Sequence, residues 1–96
     1  MRFEWDDAKA ETNRLKHGVS FETAALVFED PNRLEFVERF EGDEERWHAI
    51  GSIRGSFLLL TVVHTYGDDE GVPVVRVVSA RSATPHERKL YAEAIF

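Results

Sequence analysis

Apolar positions recur at helical spacing near the start of the chain, alternate through its middle, and return to helical spacing at its end. Phe3-Glu4-Trp5 alternates over a short span and predicts a brief strand or strand-like lead-in. Asp6 or Asp7 can cap a helix over AKAETNRLKH, with acidic residues early and Arg14, Lys16 and His17 late, as the helix dipole favours. Gly18 is placed to end that helix in the left-handed conformation. Ser20 caps a second helix, along which Phe21, Ala24, Ala25 and Phe28 recur until Asp30-Pro31 stops it. Period two then takes over, predicting strands over 34–40, 46–53, 57–66 and 74–81. Turn residues at 41–44 and 54–56 and a loop over 67–71 separate them. Thr84-Pro85-His86-Glu87 has the form of a capping box and opens a last helix to about Ala94.

The order is helix, helix, four strands in sequence, helix. Short connections favour an antiparallel meander, and helices at the two chain ends favour an α+β domain. One sheet face is expected under the helices, the other partly open. Ninety-six residues make one domain, 1–96, without repeat or linker. There is no cysteine, so neither a disulfide framework nor thiolate chemistry is expected. No apolar signal region opens the chain and no stretch approaches a membrane span, which makes a cytoplasmic location the simplest expectation.

Charge changes the picture through its placement. The net charge is −6, but the segment 29–47 alone carries eight acidic and three basic residues. The segment 72–96 carries four basic and two acidic residues. A local anion site is therefore permitted in the C-terminal strand and helix of an acidic chain.

Candidate chemistry centres on that region. If Tyr66 faces Val74 across the hairpin, His64 faces Arg76, and an imidazole beside a guanidinium can hold a phosphate and transfer a proton. A solvated ion pair is the commoner outcome for such neighbours. Arg81 lies an odd number of residues from Arg76, so an ideal strand aims the two at opposite faces. It can rejoin the site where the strand bends into the last helix, or it can anchor the strand end. Helix capping is by itself a sufficient explanation of Lys16 and His17, and a catalytic role for them needs support from elsewhere. Trp47 and Trp5 suit core or rim packing, although an exposed aromatic can stack a base. Arg88 and Tyr91 share a helix face, a position that more often packs than binds. His48 follows the acidic Asp43-Glu44-Glu45, but no metal-ligand spacing, phosphate loop or nucleophile elbow is present. No metal or other cofactor is expected.

Phe3-Glu4-Trp5-Asp6, Lys9 and Asn13, Lys16-His17-Gly18-Val19-Ser20-Phe21, Glu45-Arg46-Trp47, Gly51, and Val77-Val78-Ser79-Ala80-Arg81 with Glu87-Arg88 and Tyr91 together resemble the BrnT family. These are toxins of type II toxin–antitoxin systems. The resemblance runs nearly end to end. It implies a RelE-like ribonuclease fold and RNA cleavage that inhibits translation. It also implies neutralisation by a BrnA-like ribbon-helix-helix antitoxin, with operator DNA reached only through the antitoxin complex. For RelE-like folds the implied chemistry is metal-independent attack of a ribose 2′-hydroxyl on the adjacent phosphate. Under the resemblance, Arg76 and Arg81 stabilise the phosphate, while His64 and His17 compete for proton transfer. Lys16 and Arg46 are secondary charges, and Trp47, Arg88 and Tyr91 are RNA-contact candidates. Two cations of many relatives are missing, where this chain has Tyr66-Gly67 and Ser82. An inactive copy that works by binding its antitoxin is the alternative.

Overall fold

The structure, a computed structural model, describes residues 1–95. In chain order it comprises β1 (Arg2–Glu4), α1 (Asp7–His17), α2 (Phe21–Ala25) with a 3-10 turn (Leu26–Glu29), β2 (Leu34–Glu41), β3 (Glu44–Ser52), β4 (Leu59–Asp69), β5 (Val72–Ser82) and α3 (Pro85–Ile95). The sheet runs β1-β5-β4-β3-β2. The four long strands form the expected antiparallel meander, and β1 joins β5 in parallel, so the five-stranded sheet is mixed.

Local signals set the boundaries. The Asp6 carboxylate accepts the Lys9 amide at 3.0 Å to start α1. Gly18, at φ 71°, ends it by donating its N–H to the Arg14 carbonyl. Between β4 and β5 the strands continue to Asp69 and from Val72, closed by Glu70 and Gly71, both at positive φ. A two-residue connection of this kind matches strand twist, so the acidic 67–71 stretch is mostly ladder and not loop.

Helices pack on both faces, where the sequence predicts them on one, and the outer face stays partly open as predicted. Alternation along β3, β4 and β5 puts Ala49, Leu60, Val62, Val75, Val77 and Ala80 on an inner face, packed under Val19, Phe21, Ala24 and Val27. Ile50, Leu34, Phe36 and Leu59 point the other way and meet Tyr91 of α3. Helix α3 shelters only one end of this outer face: further along it Val63, Ser79 and His48 are half-buried and Arg76 is exposed.

Gly51 lets the two layers approach. A Cβ there would stand 2.7 Å from Val27 Cγ1 and 3.3 Å from the Val27 carbonyl. The outer edge of β5 is closed differently. Strand β1 pairs only as far as Arg76, and beyond it Asn13 of α1 substitutes for a neighbouring strand. Its amide accepts the Ala80 N–H at 3.1 Å and donates to the Ala80 carbonyl at 2.8 Å and the Val19 carbonyl at 3.0 Å.

Candidate functional site

The register of β4 and β5 decides which side chains meet. Tyr66 pairs with Val75, Thr65 with Arg76 and His64 with Val77. The two-residue turn shifts the pairing by one position from the expected one, so His64 does not face Arg76. A one-residue slip exchanges faces, and His64 belongs to the inner face while Arg76 belongs to the outer.

His64 is fully buried. Its Nε2 lies 3.1 Å from Glu35 Oε1 and its Nδ1 3.3 Å from the Val62 carbonyl. Phe28 and Tyr66 pack edge-on against its ring, with centroids at 4.8 and 4.9 Å. Burial pushes its pKa down against the pull of Glu35. Tyr66 donates to the same Glu35 oxygen, and burial first, then that bond, holds the phenol protonated. Arg33 completes the cluster at 2.9 Å from Glu35. An imidazole enclosed in this way has no path to a substrate.

Further along β5 the pairing shifts again. Val63 faces Ser79 while His64 faces Val77, leaving Val78 as an extra residue. Such a bulge reverses the alternation beyond it. Arg81 therefore pairs with Thr61 and shares the outer face with Arg76, against the opposite faces an ideal strand would give. Ser79 stands between them.

The two arginines differ in engagement. Arg76 is about half exposed and makes one long contact, 3.4 Å to Glu4 Oε1. Arg81 grips Glu87 in bidentate fashion at 2.7 and 3.1 Å. Glu87 also accepts the Thr84 amide at 2.9 Å and Thr84 Oγ1 accepts the Glu87 amide at 3.2 Å, the expected capping box. Burial raises the Glu87 carboxyl, but the Arg81 and Thr84 hydrogen bonds outweigh it and hold the pKa at about 2.

Two residues of β3 join the outer face. Arg46 and His48 point there by alternation, while Trp47 points to the inner side. Arg46 lies 3.2 Å from Glu44, and its Nε is buried without a partner among the described residues. His48 is half-buried against Phe36, with centroids 5.6 Å apart. Sequence reasoning considers His48 only as a metal ligand, although the alternation of β3 was the signal for its place beside Arg46. Among the described residues no group of three or more His, Asp or Glu side chains is gathered to hold a metal.

Around the β5 edge a groove of about 330 Å³ is lined by Lys9, Thr12, Lys16, His17, Val78 and Ser79, among others. Lys16 and His17 are exposed on it. Ser79 lines this groove and also stands between Arg76 and Arg81, which links the α1 cations to the two arginines. The remaining sequence candidates lie elsewhere. Trp47 stacks edge-on with Tyr66 at 5.4 Å, donates to Glu45 at 3.2 Å, and lines a recess with Asp43 and Glu44. Tyr91 is buried and donates to Asp30 Oδ2 at 2.6 Å; burial and that bond push its pKa up to about 12. Arg88 is exposed on α3.

No helix among the described residues is long and apolar enough to cross a membrane. A family model described as the ribonuclease toxin BrnT of type II toxin–antitoxin systems matches residues 5–87. Among curated proteins no match is found.

Proposed function

Because the chain belongs to the BrnT family of type II toxin–antitoxin ribonuclease toxins, we propose that it is a metal-independent endoribonuclease acting on the open half of its outer sheet face. RNA lies across that half with a phosphate near Arg76 and Arg81. A ribose 2′-hydroxyl attacks the adjacent phosphorus and the 5′-oxygen leaves, giving a 2′,3′-cyclic phosphate and a 5′-hydroxyl.

The observation that carries this reading is the shared face of Arg76 and Arg81, made by the Val78 bulge. Two guanidinium groups on one rigid strand supply preorganised positive charge where phosphate charge develops. Arg76 is the less engaged donor, half exposed with a single long contact to Glu4. Arg81 is held in place by Glu87 through both terminal nitrogens, with about a third of its side chain exposed to the ligand. Removing one such stabiliser costs about 3–4 kcal/mol of transition-state stabilisation, by analogy with a lost oxyanion donor. Lys9, Lys16 and His17 continue the cationic surface around the strand edge, where the RNA backbone passes on. His17 is exposed there and suits protonation of the leaving oxygen.

The order of elements is consistent with a RelE-like fold. A toxin of this type is neutralised by an antitoxin, here a BrnA-like ribbon-helix-helix protein through which alone the toxin meets operator DNA. An RNA target and inhibition of translation place the action in the cytoplasm. A second reading, a chain that acts only by binding its antitoxin, draws on the tight engagement of Arg81 by Glu87. Expression of the wild type and of Arg76→Ala separates the two. Growth arrest by the first and not by an equally abundant second supports the ribonuclease, while equal toxicity removes Arg76 from the site.

A further inference from the structure

We propose that His48 is the base that takes the proton from the attacking 2′-hydroxyl. This rests on the ribonuclease reading above and assigns the proton acceptor that reading leaves open.

The sheet register supports it. His48 pairs with Val63, and Val63 pairs with Ser79, so the three form a row across β3, β4 and β5. That row lies between Thr65–Arg76 on one side and Thr61–Arg81 on the other. A phosphate held between the two guanidinium groups thus sits over Ser79. The His48 backbone is two strand spacings away, roughly 10 Å, a gap that the imidazole side chain and one ribose bridge together. Of the other histidines, His64 is sealed on the inner face, His17 borders the edge groove, and His86 is exposed in the first turn of α3.

The surroundings of His48 suit a base. Burial is the largest influence and lowers the imidazole pKa from its ordinary value. Charges of both signs reach it: Glu38 of β2 and Glu87 of α3 draw a proton in, while Arg81 of β5 and Arg39 of β2 repel it. Arg46 lies two residues away on the same strand. Among the described residues no hydrogen bond contributes to the balance at His48, whereas both ring nitrogens of His64 face acceptors inside the fold. The ring of Phe36 limits how the imidazole turns.

In the step, a ring nitrogen of His48 accepts the 2′-hydroxyl proton as O2′ forms its bond to phosphorus. The P–O5′ bond breaks with its electron pair on O5′, which takes a proton from solvent or from His17. The imidazolium then returns its proton to solvent, and no oxidant or reductant is involved.

The test is the pH–rate profile for cleavage of a defined RNA by wild type, His48→Ala, His48→Gln and Arg76→Ala, each checked for a native circular-dichroism spectrum. The wild-type rate is expected to rise with pH through a midpoint below the ordinary imidazole value and then level off. Loss of the base is expected to lower the rate by about 10²–10⁴-fold in both His48 variants and to abolish that rise. Added imidazole should partly restore His48→Ala. If both His48 variants cleave within about twofold of wild type with the same profile while Arg76→Ala is inactive, the base assignment is overturned and the site survives. If Arg76→Ala is also fully active, or the wild type leaves RNA intact, the ribonuclease site itself is overturned.

Discussion

Arg76 and Arg81 are five residues apart on one strand yet share a sheet face, because Val78 bulges out between them. Their supports are unlike. Arg76→Ala is expected to change stability by less than about 0.5 kcal/mol, as for an exposed side chain. Arg81→Ala leaves Glu87 buried without its guanidinium and is expected to cost about 2 kcal/mol. Urea unfolding of the two variants checks this, and equal midpoints would show that the Arg81–Glu87 pair contributes no net stability.

Glu87 links the site to acid stability. Its folded pKa of about 2 lies below the ordinary value of 4.5, so its contribution is present above pH 4.5 and is lost as pH falls towards 2. The contribution is on the order of 3 kcal/mol. Asp30, whose carboxyl is also lowered because hydrogen bonds from Ser52, Tyr91 and Asn32 outweigh its burial, adds a loss of the same sign. Unfolding free energy measured from pH 7 to pH 2 should therefore fall in this window, and should fall less steeply in Glu87→Gln.

Tyr91 is a strut and not a stacking platform. Tyr91→Phe removes the hydrogen bond to the Asp30 carboxylate and is expected to cost about 1.5–3 kcal/mol. RNA cleavage by the folded variant should stay within about twofold of wild type. A selective loss of RNA affinity with unchanged stability would contradict the assignment.

Asn13 closes the β5 edge with both of its amide atoms. Asn13→Asp keeps the size but turns the donor into an acceptor facing the Val19 and Ala80 carbonyls. At about 1–3 kcal/mol for each buried group left unpaired, the loss should be several kcal/mol. Thermal unfolding measures it, and hydrogen exchange at Ala80 should accelerate.

Helix caps, strand periods and the capping box of α3 were legible because each is written in a few adjacent residues. Asp6, Gly18, Ser20 and Thr84 act where they were expected to act. What escaped depends on pairing. Glu70-Gly71 closes a tight hairpin that reads as loop because its flanking strand residues are acidic, and the resulting shift moved His64 away from Arg76. The Val78 bulge sits within a run of valines that carries no mark of it. Residue types alone named Arg76 and Arg81, but their common face belongs to the register. The place of His48 is not legible from its neighbours, because the carboxylates beside it in sequence point to metal binding while the groups that share its face lie on other strands. The fate of Trp47 followed in the same way from the face on which alternation put it.

In the proposed function Arg76 and Arg81 together serve RNA cleavage without a metal. Its most direct test is incubation of a defined RNA with the purified, folded protein in EDTA, followed by chemical identification of the new 3′ ends. Fragments ending in 2′,3′-cyclic phosphate are expected from the wild type, with a loss of about 10²–10³-fold in Arg76→Ala and in Arg81→Ala. Cleavage that requires an added divalent cation, or that persists undiminished in both variants, would contradict it.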